Sequence, residues 1–333
     1  MEFQLTPIRP IARDASDTPT LQVVVDTEEE FDWGKPFNPA SIAVRHMRRI
    51  ERLQRICEPF GLHPTYVADF PVVSQADGFE PLKEVLADRV AQVGVHLHPW
   101  VNPPYEEKVC AKNSYPGNLP AKLEQSKLQR LMEAHEAAFG FRPDIYKAGR
   151  YGIGTNSIRT LRLLGFNIDM SVCSGFDFRR DGGPDFRGYP AAPWWWAEGL
   201  LEIPTSGAFV GWLHSLGPNL FSAINHPRLG WMKLPAVAAR LRALDRLMLS
   251  PEGYSAKELE RLTSFLLALG VRTFTFSLHS PSLEAGHTPY VRTIAEERDF
   301  LERCKRYFDF FFGQLGGRPI TAHKLKLQLE APV

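Results

Sequence analysis

The chain has little cysteine: four residues in 333, at Cys57, Cys110, Cys173 and Cys304. They form no CxxC pair, which argues against a structural zinc knot and leaves no disulfide framework, so they read as reduced core thiols. No apolar run reaches membrane-spanning length. The N-terminus, MEFQLTPIRPIARDASDTPT, lacks a basic region followed by an apolar one, so no leader is expected and the expected location is cytoplasmic. An excess of one charge is missing as well. With 39 Lys and Arg against 38 Asp and Glu, the net charge of +1 gives no global field to draw in nucleic acid or an anionic membrane, and only local patches are left to consider. Neither a GxGxxG fingerprint nor a P-loop is found, which weighs against a nucleotide cofactor.

What is present is an ordinary globular composition, 44% hydrophobic and 23% charged, enough for one α/β barrel or two smaller domains. Strand and helix patterns alternate along most of it. Val23 to Val25 read as a buried strand, Ser41 to Phe60 as an amphipathic helix stopped by Gly61, and 64–68 as a short extended run. A helix around Pro81 to Arg89, a strand Val93 to His98, a helix Lys122 to Phe139 and a strand Ile145 to Ala148 follow. A helix Asn156 to Leu164 and strands Phe166 to Val172 and Leu200 to Pro204 continue the series. The stretch 205–254 breaks it with a Gly/Pro/Trp-rich loop and a basic helix near Val237 to Met248, and is read as an insertion. Ser255 and Glu258 make a capping box opening a helix that Gly270 closes; a strand Val271 to Leu278, a helix Ile294 to Phe312 and a polar tail end the chain. The pattern predicts an α/β fold, a barrel of about seven parallel strands in one catalytic domain spanning residues 1–333, with its core at about 21–315. Any site then lies at the C-terminal ends of the strands.

Those ends carry the chemistry. The run Val25-Asp26-Thr27-Glu28-Glu29-Glu30 turns abruptly from apolar to acidic, and such a cluster repels itself unless a cation or a proton relieves it. Continued extension puts Asp26 and Glu28 on one face and Glu29 on the other. His96 and His98, two apart, leave one face of their strand and can converge on one ion; with a carboxylate they suit zinc or a similar divalent metal and leave coordination positions open. Arg150, in Ala-Gly-Arg-Tyr-Gly, is placed to reach a carboxylate across the rim, and His279 ends the strand Thr273-Phe-Thr-Phe-Ser-Leu-His as a further ligand or general acid. Aromatic loops at 100–105 and 194–196 follow strand ends, where exposed rings could stack on sugars.

In order, Asp-Thr-Glu-Glu-Glu-Phe-Asp-Trp, His-Leu-His-Pro-Trp, Ala-Gly-Arg-Tyr-Gly and Leu-His-Ser-Pro-Ser-Leu resemble the motifs of the polysaccharide deacetylases of the NodB-homology type (carbohydrate esterase family four), over roughly Leu21 to Arg292. The likeness is to the branch associated with bacterial surface-polysaccharide and lipopolysaccharide gene clusters. It implies a distorted (β/α) barrel, a mononuclear divalent metal, usually zinc, and hydrolysis of an N-acetyl group on a saccharide. Carried over, Asp26 resembles the catalytic base, Glu28 a metal carboxylate, and His96 the first metal histidine. Arg150 resembles the arginine that orients the base, Asp169 the acid of the following motif, and His279 the catalytic acid. Two departures stand. The common first motif has adjacent aspartates, which would make Glu29 the ligand where alternation favours Glu28. The common second motif spaces its histidines four apart, and neither His96 nor His98 has a histidine at that distance, so ligation by His98 rests on strand geometry. Two rival functions remain: a metal-dependent amidohydrolase on a small non-sugar amide, and a non-catalytic carbohydrate-binding relative.

Overall fold

The computed structural model describes residues 11, 14, 16–196 and 199–330. Its centre is a curled sheet. Strand β1 (Thr20–Thr27) is an apolar run buried along its whole length and pairs in parallel with β2 (Thr65–Ala68) on one side. From β2 the sheet proceeds in parallel through β3 (Gln92–Leu97), β4 (Ile145–Ala148) and β5 (Ile168–Asp169). It ends beyond β5 with an antiparallel pair, β6 (Trp194–Trp195) on β7 (Leu201–Glu202). A separate antiparallel hairpin, β8 (Gly207–Val210) with β9 (Asp245–Met248), follows, and β10 (Thr273–His279) returns to the other side of β1. Backbone bonds from Ser206 N–H to the Thr275 carbonyl and from Ser277 N–H to the Leu249 carbonyl bring the far end of the sheet back to β10. The expected (β/α) barrel is therefore present in distorted form.

Period-two alternation sorts each strand into an inner and an outer face. Val24, Val67, Ile145, Ile168, Met170, Leu201 and Ile203 fill the barrel interior, while Val23, Val25, Tyr66, Val95 and Tyr146 face the helical layer. That layer includes α1 (Ile50–Cys57), α2 (Phe70–Ser74), α3 (Ala76–Ala87), α4 (Ala121–Phe139) and α5 (Ser157–Leu164). Within 205–254 lie α6 (Gly217–Ile224) and α7 (Leu234–Arg240), and after it come α8 (Ala256–Ala268) and α9 (Ile294–Phe308). Both halves of the Ser255–Glu258 capping box are formed.

Two elements differ from the sequence reading. The helix expected over Val237 to Met248 stops at Arg240, because β9 finds a partner in β8 and the pairing overrides the helical spacing. The polar tail is not free: Arg318–Pro319 adds an edge strand, β11, to β1, and α10 (Ala322–Glu330) turns Ile320, Ala322 and Leu325 into the barrel interior as a plug at the N-terminal ends of the strands. Three apolar residues among lysines are too few to reveal that burial from the sequence.

Candidate metal centre and active site

At the C-terminal ends of the strands a pocket of about 350 Å³ opens, lined by Asp26, Glu28, His96, His98, Ser277 and His279 among others. Alternation delivers them. Asp26 and Glu28 follow Val24 on the inner face of β1, His96 and His98 share the inner face at the end of β3, and Asp26 sits in register with His279 on β10.

Three of these groups converge. The Nε2 atoms of His96 and His98 are 3.1 Å apart, and Glu28 Oε2 lies 3.7 Å from the first and 3.4 Å from the second. His96 directs Nδ1 at the Lys147 carbonyl, at 3.0 Å, which can only accept, so that nitrogen carries the proton and Nε2 presents a lone pair. His98 directs Nδ1 at Glu29 Oε2, at 2.8 Å, with the same consequence. Burial lowers the pKa of both rings, His98 to about 4, so both are neutral at physiological pH. Two lone pairs facing each other at this distance repel unless a cation lies between them. Among the described residues the buried Glu28 Oε1 also has no hydrogen-bond partner. Two imidazoles and one carboxylate, converging with positions left open, fit a divalent metal of the zinc type.

Glu29 takes the other side of His98. It accepts from His98 Nδ1 and from Trp100 Nε1 at 2.7 Å, and its own backbone N–H donates to Asp69 Oδ2 at 2.8 Å. Burial lifts both the Glu29 and Asp69 carboxyls, Glu29 to about 8, so the two share a proton and Glu29 keeps an oxygen to accept from the ring. Glu29, Asp69 and His98 form a second cluster of metal-ligand type, yet the geometry makes Glu29 the support that orients the ring rather than a group turned to the pocket. Gly149 is what lets the ring sit there. A Cβ at that position would meet the Leu97 carbonyl oxygen at 2.4 Å and His98 Cδ2 at 2.5 Å.

Opposite the histidines stands a pair of charged couples. Asp26 Oδ1 accepts from Lys147 Nζ at 2.5 Å, and Lys147 also donates to Ser277 Oγ at 3.0 Å. Burial alone would raise the Asp26 pKa, but Lys147, with His96 and His279, outweighs it and holds the group below its ordinary value. His279 Nε2 is 3.8 Å from Asp26 Oδ2, and its Nδ1 donates to Glu252 Oε2 at 2.6 Å. Glu252 Oε1 accepts from the His279 backbone N–H at 3.1 Å and from Ser282 Oγ at 2.5 Å. Burial opposes the imidazolium, but Glu252, backed by Glu28 and Asp26, lifts the pKa to about 10.

Several expected roles move. Arg150 lines the pocket but does not touch Asp26: its guanidinium donates to Ser114 Oγ at 2.6 Å, stacks over Tyr115 at 4.2 Å and lies 3.8 Å from Asp181. The chain leaves β4 through two consecutive left-handed residues, Arg150 (φ +56°) and Tyr151 (φ +59°), a strained turn that carries Arg150 to the rim while Lys147, inside the strand, takes the counter-ion position. Asp169 is not in the pocket. Ile168 points into the barrel, so Asp169 points to the helical layer, where it accepts from Ser171 Oγ and faces the Glu202 carboxyl. Trp100 is buried against His98 at a ring separation of 4.2 Å, and Trp194 and Trp196 are buried in the outer core. The rings that do line the pocket are Phe31, Trp33, Phe37, Tyr115, Tyr151, Phe178 and Tyr290.

Lys147 and Glu252 were not singled out by the sequence reading. For Lys147 the signal exists: in Ile145-Tyr146-Lys147-Ala148 it shares the inner face with Ile145, and a lysine inside a barrel needs an anion. Glu252 sits in a loop after a hairpin, and nothing local distinguishes it from a solvated acid.

No protein-family model matches the chain, and no curated protein sequence does either. Solved structures do. A protein of Mycobacterium smegmatis classed as a polysaccharide deacetylase superposes with a TM-score of 0.51 at 16% identity, over 96% of this chain and 98% of that one. A GH57 branching enzyme of Thermococcus kodakaraensis superposes with a TM-score of 0.50 at 10% identity, over 95% of this chain and 72% of that one. One fold thus serves different saccharide chemistries, and the fold alone does not choose between them. The chain has the NodB-type polysaccharide-deacetylase fold, a distorted (β/α) barrel.

Proposed function

We propose that the protein is a metal-dependent hydrolase that removes an N-acetyl group from a sugar of an oligo- or polysaccharide. The observation that carries this reading is the convergence of Glu28, His96 and His98 beside an ionised carboxylate and a protonated histidine, all in one pocket. Glu28, His96 and His98 would hold a divalent ion, which when bound would supply Lewis acidity toward a carbonyl oxygen and a water molecule. Asp26, kept anionic by Lys147, takes the proton of the attacking water as it adds to the amide carbon. His279 Nε2 gives its proton to the departing nitrogen as the C–N bond breaks, leaving acetate and a free amine. Glu252 holds the imidazolium charged and aimed for that step. The separated acid and base have opposite protonation states at neutral pH, which is the division hydrolysis of an amide requires.

The rings at the mouth support a sugar substrate, since Trp33 and Tyr290 offer faces to pyranose C–H groups beside the proton-transfer pair. The test measures acetate release from N-acetylglucosamine oligomers, from O-acetylated xylan and from small cyclic amides, before and after chelation and with metal content determined on the same preparations. The reading expects release from the N-acetylated oligomers, lost with the metal and restored by a divalent ion. Release from the other substrates alone, or stoichiometric metal with no hydrolysis of any, overturns it.

A further inference from the structure

From Ile203 to Leu244 the sequence contains no Asp or Glu, in a chain whose charges otherwise balance. Within that stretch Arg228, Lys233, Arg240 and Arg242 are exposed, and among the described residues none of them enters an ion pair. The same stretch concentrates exposed apolar surface. Trp231 is 81% exposed, Trp212 71%, Leu241 69% and Leu216 56%, with Met232 and Val237 also exposed. Six of the fifteen large exposed hydrophobics among the described residues therefore fall in thirty consecutive positions, which is a concentration rather than the usual scatter of single residues. On α7, Val237 and Leu241 are four apart and share one face, with Arg240 beside them.

None of this surface covers the pocket: no described residue between Asp181 and Met248 lines it. The insertion hangs from the Val210–Asp245 end of the β8–β9 hairpin, whereas Met248 at the other end, and Ser250 and Glu252 beyond it, form part of the pocket wall. The two ends are three residues apart, roughly 10 Å along the strand. The patch thus lies outside the site yet is tied to its wall by a short rigid ribbon.

We propose that the stretch from Trp212 to Arg242, which carries α6 and α7, docks on the surface of an anionic lipid bilayer. Exposed tryptophans set among leucines suit the headgroup boundary, where the ring is buried and the indole N–H stays wet, and the unpaired cations suit the phosphates beside it. A second copy of the chain fits worse. A two-fold contact of this patch with itself would set four cations against four, with no acid in the stretch to relieve them.

The experiment is vesicle flotation of the full chain, with phosphatidylcholine alone and with about a quarter of the lipid replaced by phosphatidylglycerol. Wild type is expected to float with the anionic vesicles at low ionic strength, to be released by salt, and to stay down with phosphatidylcholine. Lys233→Gln combined with Arg240→Gln should weaken binding by about thirtyfold, and Trp212→Ser combined with Trp231→Ser by at least about tenfold, both with unchanged far-UV circular dichroism. Absence of flotation on anionic vesicles overturns the proposal, as does flotation that neither double variant weakens. So does a concentration-dependent dimer in light scattering that the tryptophan variant abolishes, since that would make a second copy the occupant.

Discussion

Two walls of one pocket obey opposite electrostatic rules. Around Asp26 and His279 each charge has its complement: Asp26 is matched by Lys147, and the His279 imidazolium by Glu252. Where His96 and His98 of the β3 end meet Glu28 from the end of β1, the atoms turned to the pocket are unmatched. Two neutral rings turn their Nε2 lone pairs toward each other, and a buried Glu28 oxygen has no partner among the described residues. A buried polar group without a partner is rare in folded proteins and costs stability. The difference teaches how to read the site: the satisfied wall is set for moving protons, and the unsatisfied wall is a demand for a cation.

The comparison breaks first at His96. His96→Ala should remove the metal, measured by elemental analysis after dialysis, and with it an amount of activity beyond the roughly 10–100-fold that losing a supporting residue around a metal costs. On the opposite wall, His279→Ala should lower turnover by roughly a hundred- to ten-thousandfold while bound metal stays at the wild-type level. If His279→Ala strips the metal, the two walls are one coordination shell and the division fails.

Lys147 and Arg150 sharpen the contrast inside a single turn. Lys147→Met takes from the buried Asp26 its hydrogen-bonded counter-ion and leaves only the His279 imidazolium 3.8 Å away, and breaking such a pair is expected to cost about 3–5 kcal/mol of unfolding free energy in a denaturant titration. The surviving carboxyl should also take up a proton, so the activity that remains appears only at higher pH. Arg150→Met removes a guanidinium at the rim that touches Ser114 and Tyr115, and should leave both the stability and the pH profile close to wild type. Equal effects of the two substitutions would return Arg150 to the role that its motif suggested.

How much of this could be read from the sequence follows from where each partner comes from. Asp26, Glu28, His96 and His98 were legible because a strand's period of two is a local rule: it placed Glu28 toward the pocket and Glu29 away from it before any contact was known. His279 was legible as a strand terminus, and register then set it beside Asp26. The counter-ions were not. The sequence offers Arg150 for that role by its place at the rim and its motif and leaves Lys147 unmarked, although alternation alone turns Lys147 inward. Glu252 reaches His279 across twenty-seven residues, from a loop whose position depends on how the β8–β9 hairpin meets the barrel. The role given to Asp169 rests on motif resemblance alone, and register turns it away from the pocket because Ile168 takes the inner face, where one residue reverses the side. The barrel itself was visible in the alternation, but its plug was not, since α10 buries a few apolar residues in a tail rich in lysine and polar groups.

Glu252 offers the finest test of the satisfied wall, because replacing it should change a pKa more than a structure. His279 titrates ordinarily at 6.5 and is lifted to about 10 in the folded chain. A histidine whose folded pKa is raised contributes stability that is complete below the unfolded value and is lost as pH rises through the folded one. In Glu252→Gln the amide oxygen can still accept from the ring, its NH2 then turned to the His279 backbone N–H and Ser282 Oγ that Oε1 served, but it no longer supplies the charge, so the alkaline limb of activity should move from near 10 toward neutrality while metal content holds. The melting temperatures of the two proteins should differ at pH 7 and converge above about pH 10, where the wild-type ring is neutral too. A limb that stays in place would mean that Glu28 and Asp26 alone keep His279 charged, and the pairing with Glu252 would then be one of position rather than of charge.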